Sequence, residues 1–455
     1  MSDALLQLEV PESASLVEST ATPSEAVSWR EFIAAEDRPG APSDGRRRVV
    51  GVRGANGGLT IRTILSLIRN GFVPAPFPPS TANNTYSQCL ERLEACAEWT
   101  DATGWRNLPG ERPAPTGFDL IMHSSGSTGL PKPIAIRLAA MRDNARDVAS
   151  ALALSALDIH LGTMSHCYMS GLFNATILPL VTGGRAVLGP LVEPATLDQF
   201  LTAIERHRPT VLWLNPFVAQ MIARLRGVGR EALRGVGFAV SCTAPLPAAV
   251  KAAFEERFAI PLLQSYGLCE ALITTVEHPG ASAPATVGKP VGPRDAVAVD
   301  SDGRVVIRNR GLCAGYLHPW PTGPQVLPLT AFETEDLGRF DYAGNLVITG
   351  RVSETIHRHG VKFSPERIER VLLEEHGVTE CAVVNYRSAD RDIIVAWVSS
   401  AESDSAALFD LLRHRLPAAE RPDMIGFTQD FPRTPSGKID RRRLREREPN
   451  ALHRP

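Results

Sequence analysis

The stretch Ser124-Ser125-Gly126-Ser127-Thr128-Gly129-Leu130-Pro131-Lys132 places four hydroxyls, two glycines and a lysine in nine residues, directly after an apolar run of strand length. Small residues let backbone N–H groups approach phosphate oxygens, hydroxyls add donors and lysine adds a point charge; the set suits a polyanion. The Walker A spacing G-x-x-x-x-G-K-[ST] cannot be laid on it, and an ordinary Ser/Gly loop has the same composition. Three further places carry reactive groups. Pro435-Ser436-Gly437-Lys438-Ile439-Asp440-Arg441 sets a lysine on a glycine turn near the C-terminus, where a mobile ammonium can enter a site built elsewhere; a solvated lysine is the plainer reading. Gln264-Ser265-Tyr266-Gly267-Leu268-Cys269-Glu270 ends in a carboxylate able to hold Mg2+, a hard ion that takes oxygen ligands, or to cap a turn. Thr334-Glu335-Asp336 and Gly350-Arg351 offer an Asp that accepts two hydrogen bonds from a vicinal diol and an Arg that clamps phosphate; a turn Asp and a surface Arg are the alternatives. Only five of the 48 basic residues are lysine: 132, 251, 289, 362 and 438. Where any positive charge would serve, the chain uses Arg, so a lysine marks a candidate place for a compact ammonium. For Lys251, on the polar face of a helical segment, chance suffices.

These residues need elements to hold them. Apolar runs at Arg48–Val52, Phe118–His123, Arg185–Leu188, Thr210–Leu214 and Val236–Ser241 read as buried strands. They alternate with helical periodicity at Leu59–Arg69, Leu138–Leu154, Thr196–Arg206, Pro216–Arg226 and Ala248–Phe258. Such alternation predicts an α/β fold with parallel, helix-covered sheets. From about Val287 the pattern shortens to strands and turns (Ala296–Val299, Val305–Arg308, Leu346–Ile348), a β-rich subdomain. After Gly350-Arg351 a small α+β unit follows, with helices at Pro365–Glu375 and Ala406–His414 and strands at Glu380–Tyr386 and Ile393–Val398. The division expected is a flexible tail over 1–25, a large N-terminal domain over 26–350 and a mobile C-terminal lid over 351–455.

With 455 residues, 44% hydrophobic and 22% charged, the chain has the composition of a folded globular protein of one large and one smaller domain. A net charge of −2 gives no global drive towards nucleic acid or an anionic membrane. No apolar run reaches the ~18 residues of a membrane span, and the first 25 residues hold five acids and no Lys or Arg, unlike a secretory signal. Seven scattered cysteines without C-x-x-C fit neither a disulfide framework nor a zinc site and point to the cytoplasm.

In order and spacing the array resembles the adenylate-forming superfamily: acyl- and aryl-CoA synthetases, nonribosomal peptide adenylation domains and firefly-type luciferases. Val27–Phe32 and Gly71–Pro74 resemble its first two motifs, and Ser124–Lys132 its phosphate loop. Thr243-Ala244-Pro245-Leu246 resembles the adenine-side segment, and Tyr266–Glu270 the Y-G-x-T-E motif. Gly311–Leu317 is similar to G-x-x-x-G-Y-x, Phe332–Asp336 to T-G-D, and Gly350–Glu369 to the segment G-R-x-x-x-x-I-K-x-x-G-x-x-V-x-P-x-E-I-E. Pro432–Arg441 is similar to P-x-T-x-S-G-K-I-x-R.

The resemblance implies an AMP-forming acid–thiol ligase. A carboxylate attacks the α-phosphate of ATP to give an acyl-adenylate and pyrophosphate; a thiol, on CoA or the phosphopantetheine of a carrier protein in trans, then displaces AMP. It implies that Ser124, Ser125, Gly126, Ser127, Thr128, Gly129 and Lys132 hold the β/γ-phosphates, and that Thr243, Ala244, Pro245, Tyr266 and Gly267 flank the nucleotide. Glu270 helps hold Mg2+, Asp336 takes the ribose hydroxyls and Arg351 lies at the ribose and α-phosphate. Lys438 bridges the substrate carboxylate and the α-phosphate, placing charge where the transition state builds it. The C-terminal domain is implied to rotate about Ser353 between the two steps, bringing His359-Gly360 to the thiol tunnel. Other outcomes of the same chemistry are transfer of the adenylate to an amine, luciferase-like oxygenation, or a non-catalytic binding relative.

The chain departs from the family pattern at Cys269 (usually Thr), Pro133 (usually Gly), Tyr168 (often His), Ser353 (usually Asp or Lys) and His357 (often Lys). The segment Met164–Leu172 lacks the Asp with which amino-acid-activating relatives pair an ammonium, and an unpaired ammonium is costly to bury. The expected substrate is therefore an aryl or medium acyl acid without an α-amino group, in a pocket lined by Tyr168, Met169, Phe217 and Leu268.

Overall fold

The computed structural model describes residues 5, 7–34, 46–123, 130–280, 285–318, 325–327, 329–358, 361–387, 392–400, 404–433 and 439–447. Its largest sheet has nine strands. In spatial order they are Lys289–Pro290, Leu272–Val276, Leu262–Leu268, Phe238–Ser241, Val211–Leu214, Ile159–Gly162, Arg185–Leu188, Ser15–Glu18 and Val27–Ser28. From Leu262–Leu268 to Ser15–Glu18 every pairing is parallel, as the near-continuous apolar runs and intervening helices require. A second, four-stranded sheet pairs Val73–Phe77, Val49–Arg53 and Ala97–Thr100 in parallel, closed by Gly104–Asn107. Val73–Phe77 contains Pro74 and Pro76; it lies at the sheet edge, where missing N–H groups can face away from the ladder.

The described residues among the first 25 do not form the flexible tail expected there. Ser15–Glu18 pairs parallel with Arg185–Leu188, and Leu5, Leu8, Leu16 and Val17 are buried. The acids that suggested a solvated segment have partners: Glu9 bridges Arg142 and Arg146, and Glu18 accepts from the Gly58 backbone N–H.

Two antiparallel sheets complete the N-terminal part. Leu120–His123 and Pro133–Ile136 form a hairpin extended by Gly315–His318 and Gln325–Leu327. The β-rich subdomain is the sheet Val297–Val299, Arg304–Ile307, Phe332–Phe340, Leu346–Arg351. The C-terminal unit has strands Val378–Arg387, Asp392–Ser400 and Met424–Phe427, with helices Pro365–Leu372 and Ser405–Arg415 packed on its apolar core. No helix among the described residues is long and apolar enough to cross a membrane.

Candidate active site

The hairpin Leu262–Leu268/Leu272–Val276 carries the central residues. Its register shifts between Tyr266 and Gly267, a bulge that re-aims a side chain. A Cβ on Gly267 would stand 2.3 Å from the Leu272 carbonyl oxygen, so only glycine fits. The Tyr266 hydroxyl donates to Asp336 Oδ2 at 2.7 Å, while Arg351 Nε donates to Oδ1 at 2.9 Å. Asp336 and Arg351 face each other across paired strands, and Thr334 Oγ1 accepts from the Asp336 N–H at 3.0 Å. Burial and then the Asp336 charge push the Tyr266 phenol well above its ordinary pKa, so it stays a donor.

Glu270 occupies the turn of the same hairpin, nearly buried. Its backbone carbonyl accepts from Cys313 N–H at 2.7 Å, and Tyr316 donates to its Oε1 at 2.7 Å. Asn309 Nδ2 holds the next carbonyl, that of Ala271, at 2.8 Å. The carboxylate is thus a fixed oxygen donor, fitting Mg2+, which is commonly held by one or two carboxylates plus substrate phosphates. Burial and the neighbouring Glu270 push the Cys269 thiol well up, so this departure replaces a hydroxyl with a neutral, weak donor.

Thr243 follows the strand Phe238–Ser241 with φ +75°, a conformation that is an outlier for a β-branched residue. Its Oγ1 is enclosed without a hydrogen-bond partner among the described residues. Strain and an orphaned hydroxyl at one position are the marks of a ligand-facing turn. Ala244 and Pro245 continue that turn. Residues 124–129 lie outside the described residues; the strands Leu120–His123 and Pro133–Ile136 flank them as a hairpin, with Lys132 exposed at its return. Pro133 opens the second strand, a position that tolerates proline.

The four residues expected to line the acid pocket pack on different cores: Met169 on the large N-terminal core, Phe217 on the helix-covered face of the main sheet and Leu268 beside Tyr266 on the β-rich subdomain, with Tyr168 half-buried. Asn56, which sequence reasoning missed, holds the chain leading to them: its Nδ2 donates to the Met164 carbonyl at 2.9 Å and its Oδ1 accepts from His166 N–H at 2.8 Å. His166 accepts at Nδ1 from Gly57 N–H, 3.2 Å away, and burial lowers its pKa to about 4, so the ring is neutral. The only sequence trace of this clamp is the loop Gly54-Ala55-Asn56-Gly57-Gly58.

Lys438, His359 and Gly360 lie outside the described residues. The residues on either side of 434–438 are described: Arg433 and Ile439 form an antiparallel bridge, and Asp440 N–H donates to the Pro432 carbonyl at 2.7 Å. Ser353 sits in the turn Val352–Glu354. Arg441 joins Glu354 at 3.1 Å and Glu369 at 2.7 Å.

The description "AMP-binding enzyme" matches residues 62–317, and "AMP-binding enzyme C-terminal domain" residues 367–438. The chain belongs to the AMP-binding enzyme family. With that membership, the sequence expectation of an ATP-dependent, acid-activating ligase stands. Sulfoacetate–CoA ligase of Cupriavidus necator is 31% identical over 348 residues, 73% of this chain and 67% of that one. The 4-hydroxybenzoate–CoA/benzoate–CoA ligase of Rhodopseudomonas palustris is 28% identical over 361 residues, 74% of this chain and 66% of that one. These matches therefore take in about two thirds of the relatives' length. Among solved structures, an anthranilate CoA ligase with anthranoyl-AMP superposes with a TM-score of 0.80 at 20% identity, covering 97% of this chain and 96% of that one. The amide bond synthetase of Marinactinospora thermotolerans gives 0.80 at 23%, covering 97% and 98%. Both show that the fold is shared from end to end.

Proposed function

We propose that this protein joins an aryl or medium acyl acid lacking an α-amino group to a thiol, CoA or a pantetheinyl carrier in trans, through an acyl-adenylate. The observation that carries the reading is the convergence on one hairpin of Tyr266 and Glu270 with Asp336 and Arg351 opposite. In the first step a carboxylate oxygen attacks the α-phosphorus of ATP and the bond to pyrophosphate breaks. Asp336 accepts from the ribose hydroxyls, Arg351 lies beside the α-phosphate, and Lys438 neutralises the approach of one anion to another. Mg2+, held by Glu270, would neutralise phosphate charge. In the second step the thiol sulfur, giving up its proton, attacks the acyl carbon and AMP leaves. The absence of an acid from Met164–Leu172 and the neutral His166 support a substrate without an ammonium. All seven cysteines are free thiols, in keeping with a cytoplasmic setting. ATP–pyrophosphate exchange against benzoic, hydroxybenzoic, anthranilic, indoleacetic, sulfoacetic and C4–C12 fatty acids tests the reading. Exchange with one acid class is expected, falling about 10²–10³-fold in Lys438→Ala; exchange with none, or no loss in the variant, overturns it. Adding CoA, a carrier or an amine then identifies the acceptor.

A further inference from the structure

Two contacts among the described residues join the helix Pro216–Arg224 to the C-terminal unit. The Arg433 guanidinium lies over the Phe217 ring, 4.6 Å from its centroid, and Gln220 Nε2 donates to the Thr379 carbonyl at 3.2 Å. Arg433 is held in place from behind: its Nη2 donates to both carboxylate oxygens of Glu380 at 2.9 and 2.8 Å, and its backbone bridges Ile439. Thr379 and Glu380 are adjacent on the strand Val378–Arg387, so one strand end supplies both contacts. Arg433 also stands five residues before Lys438 in the chain. The rotation about Ser353 that the family resemblance implies would carry Thr379, Glu380 and Arg433 together away from Phe217 and Gln220. On that rotation these contacts would belong to one arrangement only.

We propose that the Glu380–Arg433–Phe217 stack, with Gln220–Thr379 beside it, is a latch that holds the C-terminal unit where Lys438 serves adenylate formation and that opens before the thiol step. Phe217, expected as a pocket wall, is then a docking residue for the lid, and Arg433 a positioning residue for Lys438. The inference rests on the two-step ligase reading above. A guanidinium on an aromatic face contributes about 0.5–2 kcal/mol, a bias of roughly 2- to 30-fold. That is strong enough to favour one arrangement and weak enough to release when the adenylate replaces ATP, since a ligand shifts such an equilibrium only by its differential affinity.

The test uses full-length Phe217→Leu, Arg433→Met and the double variant. One readout is ATP–pyrophosphate exchange with the acid the unmodified enzyme uses best; the other is AMP release when CoA is added to enzyme carrying preformed adenylate. Each single variant is expected to lower exchange about 2- to 30-fold, the double to fall no further than the worse single, and AMP release to stay the same or quicken. Multiplying effects in the double, or equal loss in both half-reactions, overturn the latch. If the unmodified enzyme exchanges with no acid, the ligase reading fails instead, and amide hydrogen exchange still reads the latch. Faster exchange over Pro216–Arg224 in Arg433→Met supports it, and unchanged protection overturns it.

Discussion

Asp336 divides its carboxylate between a phenol and a guanidinium, one hydrogen bond to each oxygen, leaving lone pairs on both for a diol. Carboxylate and Arg could be picked out from their residue types and spacing. Tyr266 was placed beside the nucleotide by motif alone, because its aim depends on the bulge at Gly267, which no local pattern announces. A hydrogen bond to a charged group contributes about 1.5–3 kcal/mol; Asp336 keeps its second partner, so Tyr266→Phe should lose only part of that. The KM for ATP is expected to rise about 10-fold while the KM for the acid stays within twofold, measured by initial rates. The phenol's pKa is raised, so the hydroxyl donates across the working pH range. The ratio of variant to parent should therefore be flat from about pH 6 to 9. A similar rise in both KM values would mean that Tyr266 shapes the whole cleft rather than Asp336.

Asn56 acts between elements. Its amide closes on the backbone of Met164 and His166 from the loop that starts the helix Gly58–Arg69, joining the small sheet to the chain entering the helical segment Ser170–Ile177. Asn56→Ala strips two hydrogen bonds from that chain. The expected result is a KM for the acid raised about 10-fold, an ATP KM within twofold and a stability loss of about 1–3 kcal/mol, read by steady-state kinetics and urea unfolding. Equal changes in both KM values would remove Asn56 from acid positioning. Such a clamp leaves little trace in a sequence because its side-chain amide meets backbone groups 108 and 110 residues away, donating to one and accepting from the other. The elements themselves were readable. The strand Arg185–Leu188 and the helix Ala248–Phe258 lie where expected, and Val211–Leu214 and Leu197–His207 within a residue. A strand buried on both faces is an unbroken apolar run and a covering helix repeats every 3.6 residues. Ser15–Glu18 escaped because only Leu16 and Val17 are buried in it, and the acids around it read as solvated although Glu9 and Glu18 are bonded.

A cluster of charges lies beside Ser353 in the C-terminal unit. Arg441, two residues after Ile439, reaches Glu354 beside Ser353 and Glu369 on the helix Pro365–Leu372. Glu366 joins them, hydrogen-bonded to Ser364. Three carboxylates thus face one guanidinium. Burial first, then the charges of Glu369 and Glu354, push Glu366 up to about 7, with Arg441 opposing. The folded state therefore holds this proton where the unfolded chain, with an ordinary carboxyl, has lost it. Stability must fall as pH rises from the unfolded value of about 4.5 to about 7, opposite to a salt-bridged acid. Glu366→Gln mimics the protonated form and removes that slope. The variant should match the parent near pH 5 and exceed it by about 2–3 kcal/mol at pH 8, read by urea unfolding of the C-terminal transition at each pH. The same loss of repulsion should steady the segment that runs from Arg441 back to Lys438, so the parent's ATP–pyrophosphate exchange should decline above pH 7 more steeply than the variant's. Parallel pH profiles for the two proteins would show that Glu366 ionises as freely as a surface carboxylate and that the cluster beside Ser353 carries no proton at neutral pH.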